Sequence, residues 1–141
     1  MWIDKQLSLS DAQAITVDAP STNVIDTTVA RDIGNGAVPL YLVLQVTTAF
    51  AAAGTITISL RSAATTDLTS SPTTHWSSGD QTKTTFLPAG KQIIVPLPPG
   101  TYLRYVGLYY DVTISETAGV VDAFLTTDAQ NYRAYASGTR V

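Results

Sequence analysis

The stretch Thr55-Ile56-Thr57-Ile58-Ser59-Leu60 alternates polar and apolar residues without interruption. A period of two belongs to a strand buried on one face, so Ile56, Ile58 and Leu60 are predicted to face a core. Just upstream, Leu40-Tyr41-Leu42-Val43-Leu44-Gln45-Val46 is almost continuously apolar, as expected of a strand buried on both faces. Ala49 to Gly54 lies between these two strands, is short and ends in glycine, which predicts a hairpin connection. Downstream, Gln92-Ile93-Ile94-Val95 is a strand ended by Pro96-Leu97-Pro98-Pro99-Gly100, which cannot continue a ladder. Tyr102 to Val112 reads as the longest strand, with Tyr102, Arg104, Val106, Leu108, Tyr110 and Val112 on one face. Val120 to Thr126 completes the set.

Toward the N-terminus the signals are shorter. Leu7 and Leu9, then Ile15 and Val17, alternate with polar residues and predict two short strands, with Ala19-Pro20-Ser21 as a break. Val24-Ile25 begins another piece, closed by the polar turn from Asp32 to Gly36. Residues 61–84 are rich in threonine, serine, aspartate and glycine. They form an excursion longer than the ~12–15 residues usual for a loop, with Leu68 and Trp76 expected to pin it to the body. About eight short strands with regular turn signals predict an all-β, single-domain antiparallel jelly roll or β-sandwich with extended termini. Its body is expected over residues 1–127, including an N-terminal strand or arm. Residues 128–141 are expected to form an extended C-terminal tail.

Composition agrees. Threonine makes up about a sixth of the chain and suits half-buried strands. The acids are ten aspartates and one glutamate, Glu116, against three lysines and five arginines. Glutamate and lysine, which dress exposed helices, are scarce. Partner-contacting surface is likewise poor in both and rich in tyrosine, tryptophan and arginine, and the chain has seven tyrosines and two tryptophans. Only 13% of the 141 residues are charged and the net charge is -3, which argues against nucleic acid as the main partner. The absence of cysteine removes a disulfide scaffold and a thiolate zinc site. No apolar run approaches the ~18 residues of a membrane span, and Asp4 and Lys5 interrupt the N-terminus before any signal-peptide core. A protein that is neither membrane-bound nor secreted, made in a cytoplasm, is the resulting expectation.

Chemistry is hard to build from these residues. His75 is the single histidine, so a nucleophile–histidine–acid arrangement has one possible centre, and no Gly-x-Ser-x-Gly elbow accompanies it. Asp67 and Asp80 lack EF-hand spacing. Asp111 and Asp122 are conceivable as a glycosidase pair only if they share a cleft. Gly34-Asn35-Gly36 leads into Ala37-Val38-Pro39 and a strand, not into the helix that a phosphate loop needs. No catalytic residue, metal site or cofactor is predicted.

Against this background, Ile3-Asp4-Lys5-Gln6-Leu7, Ser10-Asp11-Ala12-Gln13-Ala14 and Ser21-Thr22-Asn23-Val24-Ile25-Asp26 resemble the start of the jelly-roll capsid cement, or decoration, proteins of tailed phages. That family is typified by the cement protein of a Bordetella podophage. Arg31-Asp32-Ile33-Gly34, Leu87-Pro88-Ala89-Gly90, Pro96-Leu97-Pro98-Pro99-Gly100, Leu103-Arg104-Tyr105 and the closing Tyr132-Arg133-Ala134-Tyr135 extend the likeness in order along the chain. The resemblance implies a non-enzymatic virion protein on the outer capsid surface. It would bridge adjacent major capsid proteins, resist genome pressure and form a homodimer, with a homotrimer as the alternative.

Aromatic and arginine anchors carry most interface energy. The expected capsid contacts are therefore Trp2, Tyr132, Arg133, Tyr135 and Arg140 at the termini, with His75 and Trp76 as an exposed loop contact. The competing reading is a carbohydrate-binding or receptor-facing β-sandwich, with Trp76, Tyr109 and Tyr110 as stacking surfaces.

Overall fold

Apolar residues on alternate positions need a second layer to cover them, and the chain supplies it by folding into two packed antiparallel sheets. The computed structural model describes residues 4–129. Within them run twelve strands: β1 (Ser8–Ala14), β2 (Ala19–Pro20), β3 (Ile25–Asp26), β4 (Arg31–Ile33), β5 (Tyr41–Thr48), β6 (Thr55–Ala63), β7 (Thr73–Ser77), β8 (Gln81–Thr82), β9 (Gln92–Pro96), β10 (Gly100–Tyr102), β11 (Tyr105–Val112) and β12 (Val120–Thr126). A single helical turn, α1 (Lys83–Phe86), follows β8.

One sheet has the order β1-β12-β5-β9. The other is built on β2-β11-β6-β7, with β3 on β11 and β8 on β6, and β10 pairs with β4 as a separate ribbon. Leu42, Leu44, Val46, Val121, Ala123 and Leu125 of the first sheet meet Ile56, Ile58, Leu60, Val106, Leu108 and Tyr110 of the second in one core. The fold is the β-sandwich that the alternation predicts. Val43 is also fully buried although it lies outside that core cluster, so β5 is covered on both faces as its continuous apolar run requires.

Four local expectations are corrected. Ala49 to Gly54 is a crossover rather than a hairpin, because β5 and β6 lie in different sheets. Phe50 there is buried, and its ring fills the space where a side chain on Gly119 (φ +131°) would stand. The N-terminal pair of strands is one strand, β1. Leu7 closes a 3-10 turn capped by Asp4, whose Oδ1 accepts from Gln6 N at 2.9 Å, and Ile15 and Val17 follow the strand. Ala19-Pro20 is no break but a short edge strand opposite Tyr109 and Tyr110, where a missing N–H is tolerated. The long strand from Tyr102 is divided into β10 and β11, because Leu103 N donates to Ser62 Oγ at 2.9 Å. Arg104 consequently leaves the core face.

The polar excursion is largely ordered structure. β6 extends to Ala63, and β7 and β8 both pair with β6. Leu68 is fully buried and Trp76 packs on the core, so both residues pin the segment. Gly107 explains where Leu68 goes: a Cβ on it would lie 2.9 Å from Leu68 Cδ1 and from Ser21 Oγ, and 3.0 Å from Val24 Cγ1. A glycine on β11 thus makes room for two straps crossing the outer side of the six-stranded sheet.

Candidate partner-binding surface

One end of the sandwich is locked by the loops that meet there. Lys83, at the start of α1, is wholly buried and its Nζ lies 3.1 Å from Glu116 Oε1 in the β11–β12 loop. The ammonium also donates to the Ile114 carbonyl, and Glu116 Oε2 accepts from Ala51 N and Ala52 N at 3.3 and 3.1 Å. These backbone donors and the Lys83 charge hold the Glu116 carboxyl below the usual range, against the opposing effect of burial. Glu116 N donates to the Thr16 carbonyl, which ties the N-terminal segment to the same point. The single glutamate of the chain is a structural hub.

His75 and Trp76 stand on strand β7, not on an exposed loop, and both are half-buried. The His75 ring stacks on Tyr102 with centroids 3.6 Å apart and planes 12° from parallel. Its Nε2 is 2.7 Å from Ser62 Oγ. Ser62 Oγ also accepts from Leu103 N at 2.9 Å, so one hydroxyl links β6 to both the imidazole and the β10–β11 junction. Burial lowers the His75 pKa and pushes Tyr102 up to about 12. These groups hold β7, β6 and β10 together. Trp2, Tyr132, Arg133, Tyr135 and Arg140 lie outside the described residues.

The carboxylates do not converge either. Asp111 is on β11 and Asp122 on β12, in opposite sheets, each on the side turned away from the core. Asp122 Oδ1 instead accepts from Ala12 N at 2.6 Å. Asp67 accepts from Thr65 Oγ1 and Thr69 Oγ1, which lower its pKa to about 2. A cleft of about 300 Å³ beside Phe124, lined by Lys5, Asp11, Asn23, Gln45 and Asp122, is of mixed charge. Among the described residues no group of three histidines or carboxylates is placed to hold a metal ion.

The outward side of β6 and β11 carries the residue types typical of contact surfaces. Arg61 lies over the Tyr109 ring, 4.2 Å from its centroid. Arg104 lies 4.9 Å from the Tyr105 centroid and makes two 2.9 Å hydrogen bonds to Asp26, which hold the Asp26 pKa at about 2. Of the proposed stacking set, Tyr110 is buried and bonded to Ser10 Oγ at 2.9 Å, and Trp76 packs inward. Only Tyr109 faces out, so the three do not form one flat platform. Reading of single residues missed this patch. Its signal was the complement of the core alternation: if Leu60 and Leu108 point inward, Arg61 and Tyr109 point outward.

The fold places the chain in the class of two-sheet antiparallel β-sandwich proteins. Residues 9–125 match the Bbp16 family model, and the chain belongs to the Bbp16 family, that of the capsid cement protein of Bordetella phage BPP-1. Membership implies a phage capsid cement protein at the virion capsid surface, in a family of structural proteins and not of enzymes. A comparison with curated proteins found no match.

Proposed function

We propose that this protein binds the outer face of an icosahedral phage shell, bridges adjacent major capsid proteins and stiffens the head against the pressure of the packaged genome. The observation that carries this reading is the locked sandwich of a Bbp16-family chain. Loops from both sheets meet at the buried Lys83–Glu116 pair, which gives a body able to transmit load between two attachment points. Self-association, as a homodimer, is part of the proposal, with residues 1–127 as body and 128–141 as an extended tail. Trp2, Tyr132, Arg133, Tyr135 and Arg140 are the proposed shell contacts at the termini.

The test is add-back of purified protein to phage heads stripped of it. Restored heads are expected to retain DNA at temperatures where stripped heads lose it. Removal of residues 128–141 is expected to leave a folded domain that binds shells more weakly. Equal DNA loss with and without the protein overturns the stabilising role, and unchanged affinity of the truncated chain overturns the role of the tail.

A further inference from the structure

The Asn35-Gly36 step lies in the loop between β4 and β5, and its glycine meets no packing or turn constraint. Gly34 beside it does. Its φ is +91°, and a Cβ there would stand 2.7 Å from Pro99 Cα, so only glycine fits the close approach to the proline turn. The φ of Gly36 lies outside the left-handed region, and a Cβ on it would meet nothing nearer than the Val38 carbonyl oxygen at 3.7 Å. Asn35 and Gly36 are both exposed. Among the described residues, neither the Asn35 carboxamide nor the Gly36 N–H makes a hydrogen bond.

We propose that Asn35 is a site of spontaneous covalent modification, converted without an enzyme to a mixture of aspartate and isoaspartate. The Gly36 nitrogen loses its proton and attacks Asn35 Cγ. The N–Cγ bond forms, the Cγ–Nδ2 bond breaks, and ammonia leaves with that proton. Water then opens the cyclic imide at either carbonyl, giving its hydroxyl to the carbon and its proton to the nitrogen. Opening at Cγ restores the ordinary main chain with an aspartate. Opening at the main-chain carbonyl routes the chain through the former side chain and lengthens it by one carbon. Glycine suits this step because no Cβ shields its nitrogen and its backbone reaches the geometry of attack at low cost.

The chain has three asparagines, and the other two are poorly placed. Asn23 precedes the branched Val24, its N–H donates to the Leu9 carbonyl at 2.8 Å, and its carbonyl accepts from Ser21 Oγ at 2.7 Å. Asn131 precedes the bulky Tyr132. Either product at residue 35 adds a negative charge to a chain of net charge -3, two residues from the exposed Val38. The chemistry is independent of the shell-binding reading. On that reading an assembled copy is not replaced by synthesis, so the modified fraction rises with the age of the particle.

Incubation of the full chain in warm, mildly alkaline buffer tests the site, read by peptide mass mapping and by methyl transfer from an isoaspartyl methyltransferase. Residue 35 is expected to show the mass change of amide to acid and to accept methyl groups, with Asn23 and Asn131 at least about tenfold slower. Gly36→Ala is expected to keep the wild-type melting profile, given the open space around residue 36. It is expected to slow the conversion by about tenfold or more. An Asn35 left intact, while a peptide of residues 33–38 is converted in the same buffer, overturns the site. Equal conversion at Asn23 overturns its selectivity, and an undiminished rate in Gly36→Ala overturns attack by the Gly36 nitrogen. No readout involves shell binding, so the proposed function stands or falls separately.

Discussion

Lys83 and Glu116 form an ion pair with both side chains at 0% exposure and Nζ 3.1 Å from Oε1. Neither charge is compensated by this contact alone. Glu116 also takes two backbone N–H groups of the β5–β6 crossover, and Lys83 also serves a carbonyl of the β11–β12 loop. Removing either partner therefore strands a desolvated charge and releases a loop.

Glu116→Ala is expected to cost about 3–5 kcal/mol, the usual penalty for breaking a buried pair from one side. Lys83→Met combined with Glu116→Leu is expected to recover most of that loss, since apolar residues of similar volume often replace such pairs without penalty. Urea unfolding of the three proteins measures both effects, and a double variant no better than Glu116→Ala would contradict the account.

Acid is expected to act through the same carboxyl. The folded-state pKa of Glu116 is lowered, so its contribution to stability is complete above the unfolded value of about 4.3 and is lost as pH falls through the lower folded value. Asp26 and Asp67, each held at about 2, add in the same direction between their ordinary value and that point. Unfolding free energy is expected to be flat in these groups above about pH 5 and to fall below it. Glu116→Gln flattens the first part of the decline, as denaturation at a series of pH values will show.

His75 gives a separate window at higher pH. Burial lowers its folded pKa, so its neutral form favours the fold and the contribution is lost as pH drops below the unfolded value of about 6.5. His75→Phe, which keeps a ring against Tyr102, is expected to abolish the change in stability between about pH 6.5 and pH 5. NMR titration of the imidazole provides the independent check. A pKa at or above that of a model histidine would contradict the burial argument.

Gly107→Ala tests the straps over the six-stranded sheet. The added methyl meets Leu68, Ser21 and Val24 at 3.0 Å or less, and overpacking of this kind costs about 1–3 kcal/mol. In Gly107→Ala/Leu68→Ala the clash with Leu68 is gone. The double variant is expected to lose less stability than the sum of the two single variants, a coupling read from a double-mutant cycle.

Where burial follows a period of two, the fold was readable residue by residue. Ile56, Ile58 and Leu60 are in the core as their spacing demands, and β5 is buried on both faces as its continuous apolar run demands. Sheet membership was not readable. Consecutive strands joined by six residues ordinarily pair, and nothing local says that β5 and β6 part company; the contacts of the connection with Gly119 and Glu116, distant in sequence, decide it. The partner surface suffered in the same way. A lysine is ordinarily an exposed residue, so the burial of Lys83 depends on a glutamate 33 positions away. The stacking of Arg61 on Tyr109 depends on the β6–β11 register. The terminal residues of the expected site lie outside the described residues, and the patch that the structure does describe was visible only as the reverse of a core pattern.

The irregular pairing of β1 has a consequence for a protein gathered at high local density. β1 is an outer strand of its sheet, broken by register shifts at Ser8/Ser10 and Ser10/Gln13, with Ala12 at φ +46° and its N–H turned to Asp122. Such kinks spoil the straight row of free amides and carbonyls on which a foreign strand would crystallise. Crowded neighbours are thereby kept from zipping together into fibres, and the route to aggregation is blunted along the edge where a regular strand would have invited it.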